Sequence, residues 1–167
     1  EQYLNEMPPY QGGGDMVDRV TFEKTTYNVL PFKFEAGTMN FTGAVGLSAA
    51  LDYVRSIGRE NIASMESGLL RYATAKLEAI PGLRIYGTAA NKISTISFLV
   101  KGIHQYDTGM ILDKMGIAVR TGTHCAQPIM ARFGIEGTVR ASMCFYNTRE
   151  EVDVLAAGIE KVITMFS

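Results

Sequence analysis

The chain has 167 residues, of which 47% are hydrophobic and 20% charged, with 16 basic and 17 acidic side chains and a net charge of -1. That is the size and composition of one ordinary globular domain able to bury a core without staples. A near-neutral balance gives no reason to expect nucleic acid or an anionic membrane as partner, and no apolar run approaches the ~20 residues that span a bilayer. The cytoplasm is therefore the expected location, with Cys125 and Cys144 as free thiols rather than a disulfide framework. Only two histidines are present and no Cys/His group has zinc spacing, so no metal site is expected.

Residues 1–40 are rich in turn formers, with Pro8-Pro9, Gly12-Gly13-Gly14, Pro31 and Gly37, and carry few periodic apolar positions. They read as loops and strand ends belonging to a larger body. From about residue 41 the pattern turns helical: Ala44, Leu47, Leu51 and Val54 fall at helical spacing, with Gly58 as a C-terminal stop. A second helix carries Ile62, Met65, Leu69, Tyr72, Ala73, Leu77 and Ile80 on one face and ends at Pro81-Gly82.

The period then shortens. Leu83–Tyr86 and Ser94–Val100 predict strands, and Asp107–Met115 a helix capped by Asp107 and stopped by Gly116. Ile117–Arg120 and Thr138–Met143 predict two more strands. In the final segment Thr148 and Glu151 have capping-box spacing, and Val152, Leu155, Ile159, Val162, Ile163 and Phe166 line one helix face. From residue 41 the order is α-α-β-β-α-β-β-α. It predicts an α/β or α+β layer with helices packed on one side of a small mixed or antiparallel sheet.

Cys125 follows Gly122 and His124 in a short loop after a strand, where a thiol can reach a cleft. Nearby positive charge from Arg120 and His124 favours the thiolate, the form that attacks sulfur. A half-buried packing thiol fits the same local sequence. Cys144, among Met143, Phe145 and Tyr146, reads as a packing thiol. Arg140 interrupts an apolar strand, and its planar fork suits a carboxylate if it faces a cleft; on an edge strand it would simply face water.

Four segments together carry a resemblance. VRTGTHCAQP at 119–128 closely resembles the catalytic-cysteine loop of group II, sulfur-mobilisation type cysteine desulfurases. VRASMCFYNTREEVD at 139–153, FEAGTMN at 34–40 and PPYQGGGDM at 8–16 are similar to further segments of that family, in the same order. The resemblance implies a fold-type I enzyme of the class V aminotransferase group. It also implies a homodimer with pyridoxal 5'-phosphate as cofactor, L-cysteine as substrate and a sulfur-acceptor protein as partner. The reaction would yield L-alanine and an enzyme persulfide for iron–sulfur cluster assembly.

By this carry-over Cys125 is the nucleophile, Arg140 clamps the substrate carboxylate, and Arg120 and His124 shape the cysteine pocket. Gly37 and Thr38 reach across the dimer toward the cofactor phosphate. Gly12 and Gly13 form a turn at the entrance to the neighbouring active site. Thr123 stands where several relatives have a second histidine. None of the seven lysines sits in the His-Lys context of the Schiff-base lysine. The expectation is therefore a C-terminal piece, inactive alone, with residues 1–40 as the tail of the large, cofactor-binding domain. Residues 41–167 would be a linking helix and the C-terminal small domain. Two alternatives stay open. One is a selenocysteine lyase or another class V enzyme. The other is a non-catalytic sulfur-carrier or interaction module.

Overall fold

The structure, a computed structural model, describes residues 1–166. These fall into two compact units, Glu1–Ser56 and a second from Ile57 onward. In the first, a short helix α1 (Gln2–Glu6) precedes an antiparallel hairpin of β1 (Val17–Val20) and β2 (Thr25–Tyr27), and a 3-10 turn spans Phe32–Phe34. The peptide bond before Pro31 is cis. Helix α2 (Phe41–Ile57) follows, and none of its residues is buried, although Phe41, Val45, Leu47, Leu51 and Val54 are all apolar.

The second unit holds α3 (Arg59–Glu78), β3 (Leu83–Tyr86), β4 (Thr95–Val100), α4 (Gln105–Lys114), β5 (Arg120–Gly122), α5 (Gln127–Phe133), β6 (Thr138–Ser142) and α6 (Arg149–Met165). Its four strands form an antiparallel sheet in the order β3-β4-β6-β5. The expected α/β layer is thus present, with an antiparallel sheet.

Strand alternation builds the core. Ile96, Phe98 and Val100 of β4 are buried and pair in register with Ala141, Val139 and Leu83. Successive side chains point to opposite faces, so this apolar set shares one face of the sheet. It packs with Leu69, Ala73 and Leu77 of α3, Leu112 of α4 and Val152, Leu155, Ile159 and Val162 of α6. At about 25 cal/mol per Å² of buried apolar surface, this cluster is the main stabilising term of the unit.

Helix α6 begins with the expected capping box: Thr148 Oγ1 accepts from the Glu151 amide at 3.3 Å, and Glu151 Oε2 accepts from the Thr148 amide at 2.9 Å. Tyr72 donates to Asp153 at 2.7 Å and Lys76 pairs with the same oxygen at 2.8 Å, tying α3 to α6.

Several boundaries differ from the sequence reading. Ile117–Val119 is not strand; the ladder begins at Arg120, because Ile117 turns toward α6 and packs over Gly158. His104, not Asp107, caps α4, its Nδ1 accepting from the Tyr106 amide at 3.3 Å. Gly58, by contrast, stops α2 as expected: it follows Ile57 with φ of +89°, and its ψ of 125° leads directly into α3. Phe166 is half exposed instead of lining the core. Helix α5, with Pro128 in its first turn, has no counterpart in the sequence reading; seven residues are too few to show a helical period.

Candidate functional site

On β6, Thr138, Arg140 and Ser142 alternate with the core residues Val139 and Ala141, which places Arg140 on the sheet face away from the core. Its Cα partners are Ser97 on β4 and Arg120 on β5. Two arginines are therefore cross-strand neighbours on one sheet face, a pairing of like charges that is unfavourable unless an anion joins them. Arg140 Nε is buried with no hydrogen-bond partner among the described residues. Buried donors are nearly always paired, so this one marks a place for an acceptor that the described residues do not supply.

The thiol comes in at the end of β5. Gly122, paired with Thr138, has φ of +109° and turns the chain out of the ladder. Its carbonyl group lies so close to Gly137 that a Cβ there would meet Gly122 C and O at 2.7 Å. Gly137 thus lets the β5 terminus settle against the start of β6. His124 and Cys125 then both adopt left-handed backbone, with φ of 54° and 57°. Neither is glycine, so each conformation costs about 1–2 kcal/mol and must be held by its surroundings.

His124 Nε2 lies 2.9 Å from Thr138 Oγ1, while its Nδ1 is buried without a partner among the described residues. Burial, reinforced by the like charges of Arg140 and Arg120, pushes the imidazole below its ordinary pKa, with the Thr138 main chain pulling the other way. The ring is neutral at pH 7 and sits within the field of both arginines. Cys125 is exposed, at the threshold of α5.

Cys144 is half-buried, its amide donating to Asn147 Oδ1 at 2.8 Å, and lines a separate hollow of about 410 Å³ with Met65, Leu69 and Phe145. In this unit Arg120 and Arg140 are cross-strand partners whose charges act on His124, and Cys125 follows His124 in the chain. Gly37 and Thr38 belong to the first unit. There Gly37 has φ of +78° and donates its amide to Gly14 O at 2.9 Å, and Thr38 is exposed beside a pocket of about 280 Å³. Gly13 packs on Ala36 and Gly37, with 3.0 Å left for any Cβ, which accounts for one glycine of the triplet. Thr138, Ser97 and Gly137 escaped the sequence reading, since only the strand register brings them to the site.

The family described as Aminotransferase class-V matches residues 1–155. The chain belongs to the class V aminotransferases. Among relatives of this class V chain, a cysteine desulfurase of Synechococcus elongatus is 52% identical over 164 residues, covering 98% of this chain and 26% of the relative. A cysteine desulfurase of Escherichia coli is 47% identical over 163 residues, covering 97% of this chain and 40% of the relative. The structure of the Escherichia coli cysteine desulfurase CsdA matches 98% of this chain and 41% of its own, with a TM-score of 0.88 and 36% identity. This class V chain thus spans between about a quarter and two fifths of the length of these proteins.

Proposed function

We propose that this chain is the C-terminal part of a pyridoxal-phosphate-dependent cysteine desulfurase in which Cys125 is the sulfur-accepting nucleophile. The observation that carries the reading is the unpartnered, buried Arg140 Nε opposite Arg120, on the same site as the exposed Cys125 loop. Arg140 grips the substrate α-carboxylate with its planar fork, and Arg120 adds the second positive charge. The Cys125 thiolate attacks the sulfur of L-cysteine. An S–S bond forms, the substrate C–S bond breaks, and with a proton delivered to carbon the products are L-alanine and a Cys125 persulfide. The neutral His124 flanks this step without adding a cation of its own.

Pyridoxal phosphate, when bound, supplies the electron sink for the substrate carbon. This chain offers it Thr38, whose exposed hydroxyl can donate to a phosphate oxygen, with Gly37 beside it leaving open space for close approach. Asp15 and Glu35 line the adjoining pocket with negative charge, so the fit extends to the hydroxyl and the glycine only. The lysine that holds the cofactor is assigned to the remainder of the protein; Lys33 and Lys76 here are engaged with the Leu4 and Asn5 carbonyls and with Asp153. A homodimer, a separate sulfur-acceptor protein and a cytoplasmic setting belong to the same reading; no helix among the described residues is long and apolar enough to cross a membrane.

The test uses the full-length enzyme, loaded with cofactor and given L-cysteine, with alanine and sulfide measured and the Cys125 peptide weighed for one added sulfur atom. Cys125→Ala abolishes persulfide and cysteine turnover. Full turnover by that variant removes the nucleophile assignment, and retained activity on L-selenocysteine alone would favour the lyase.

A further inference from the structure

Two adjacent non-glycine residues in left-handed backbone, His124 and Cys125, present the thiol. Such a pair persists only where neighbouring structure over-determines it. The backbone offers one brace, the Ala126 amide donating to Thr123 O at 2.9 Å. The side chains offer another. Thr138 opens β6, is 1% exposed, and holds His124 Nε2 at 2.9 Å through its hydroxyl.

We propose that Thr138 is a positioning residue for the nucleophile: its buried hydroxyl pins the His124 imidazole, and the His124–Cys125 peptide passes that anchor to the thiol. The inference deepens the desulfurase reading and rests on it. Thr138 does not touch the substrate; it acts through His124. Without the hydroxyl the ring loses its Nε2 partner while Nδ1 already has none among the described residues. A buried imidazole with both nitrogens unpaired is costly, so the ring turns toward water and releases the strained pair. The sulfur-attack step needs the thiolate in line with the substrate sulfur, so a loosened loop slows that step. Arg140 lies two residues along β6 and keeps its sheet position, so substrate binding is retained.

The test is made on the full-length enzyme, with Thr138→Val, which keeps the shape and removes the hydroxyl, and Thr138→Ser, which keeps the hydroxyl. For the valine variant, kcat for cysteine falls about tenfold while KM stays within about twofold. Hydrogen exchange of the peptide spanning residues 121–126, read by mass spectrometry with and without cofactor, quickens by about fivefold or more. Serine restores both. A valine variant with wild-type kcat and exchange overturns the proposal. So does a loss confined to KM, which places Thr138 in substrate binding, or a serine variant as impaired as valine, which makes the methyl group the relevant part. Should Cys125→Ala turn out fully active, the desulfurase nucleophile falls, whereas the exchange result still reports whether Thr138 anchors the loop.

Discussion

Arg120 and Arg140 are Cα partners across the β5–β6 ladder, two like charges on one sheet face. Cross-strand pairs of this kind cost rather than stabilise. In the cofactor-free, substrate-free protein, Arg120→Ala is therefore expected to raise stability slightly, by about 0.5 kcal/mol. In the full-length enzyme Arg140→Lys swaps a fork for a point charge, and KM for cysteine rises by about tenfold. Denaturant unfolding and steady-state kinetics check the two halves. An unchanged KM for the lysine variant moves the carboxylate grip elsewhere.

Gly137 and Gly46 make a contrasting pair. A Cβ at Gly137 meets Gln105 Nε2 at 2.6 Å and Gly122 main chain at 2.7 Å, and the main chain has nowhere to go. Gly137→Ala should cost about 2–3 kcal/mol and shift the Cys125 loop. Gly46 lies within α2, and a Cβ added there would meet nothing within 4 Å outside the helix's own backbone, so Gly46→Ala should stabilise by about 0.5–1 kcal/mol. Urea midpoints of the two variants measure the difference, and movement in the same direction refutes the contact argument.

These elements show how far the sequence could be read. The capping box at Thr148 and Glu151 and the face of α6 were plain because both signals are local and periodic. The loop of Cys125 was plain as a motif, and Arg140 as a misfit in an apolar strand. What brought Thr138 and Ser97 to the same place was register, which depends on strand pairing across tens of residues and has no local signal. The Ile117–Val119 run looked like strand because its residues favour one, yet tertiary packing of Ile117 over Gly158 took precedence.

His124 should give an acid signature. Burial and two arginines make it harder to protonate in the folded chain than in the unfolded one. Above its ordinary value of about 6.5 both states are neutral and the group is silent. As the pH falls through that value the unfolded chain takes up a proton that the folded chain refuses, so stability declines until the lower folded pKa is passed. Thermal midpoints at about pH 7.5 and about pH 5.5 should therefore differ less in His124→Gln than in the parent. Equal differences would mean the ring is not desolvated as described.

Asp153 behaves with the opposite protonation chemistry and the same sign. Its hydrogen bonds from Lys76 and then Tyr72 hold the carboxyl below its usual value. Its contribution is present above the ordinary carboxylate range and disappears as the pH falls through the lowered folded value. Asp153→Asn should lower the thermal midpoint modestly near neutrality, and the gap to the parent should close in acid. A gap that persists in acid would point to packing rather than charge.

Strand β6 carries Val139 and Ala141 inward and Arg140 outward by simple alternation. A slip of β6 by one residue against β4 would bury a guanidinium among Ile96 and Phe98 and push valine into water. The same hydrophobic preference that assembles the sheet therefore proofreads the aim of the arginine. A well-folded chain with Arg140 pointing the wrong way is not an accessible failure, so damage to this site should come from altered side chains and loops, not from misthreaded strands.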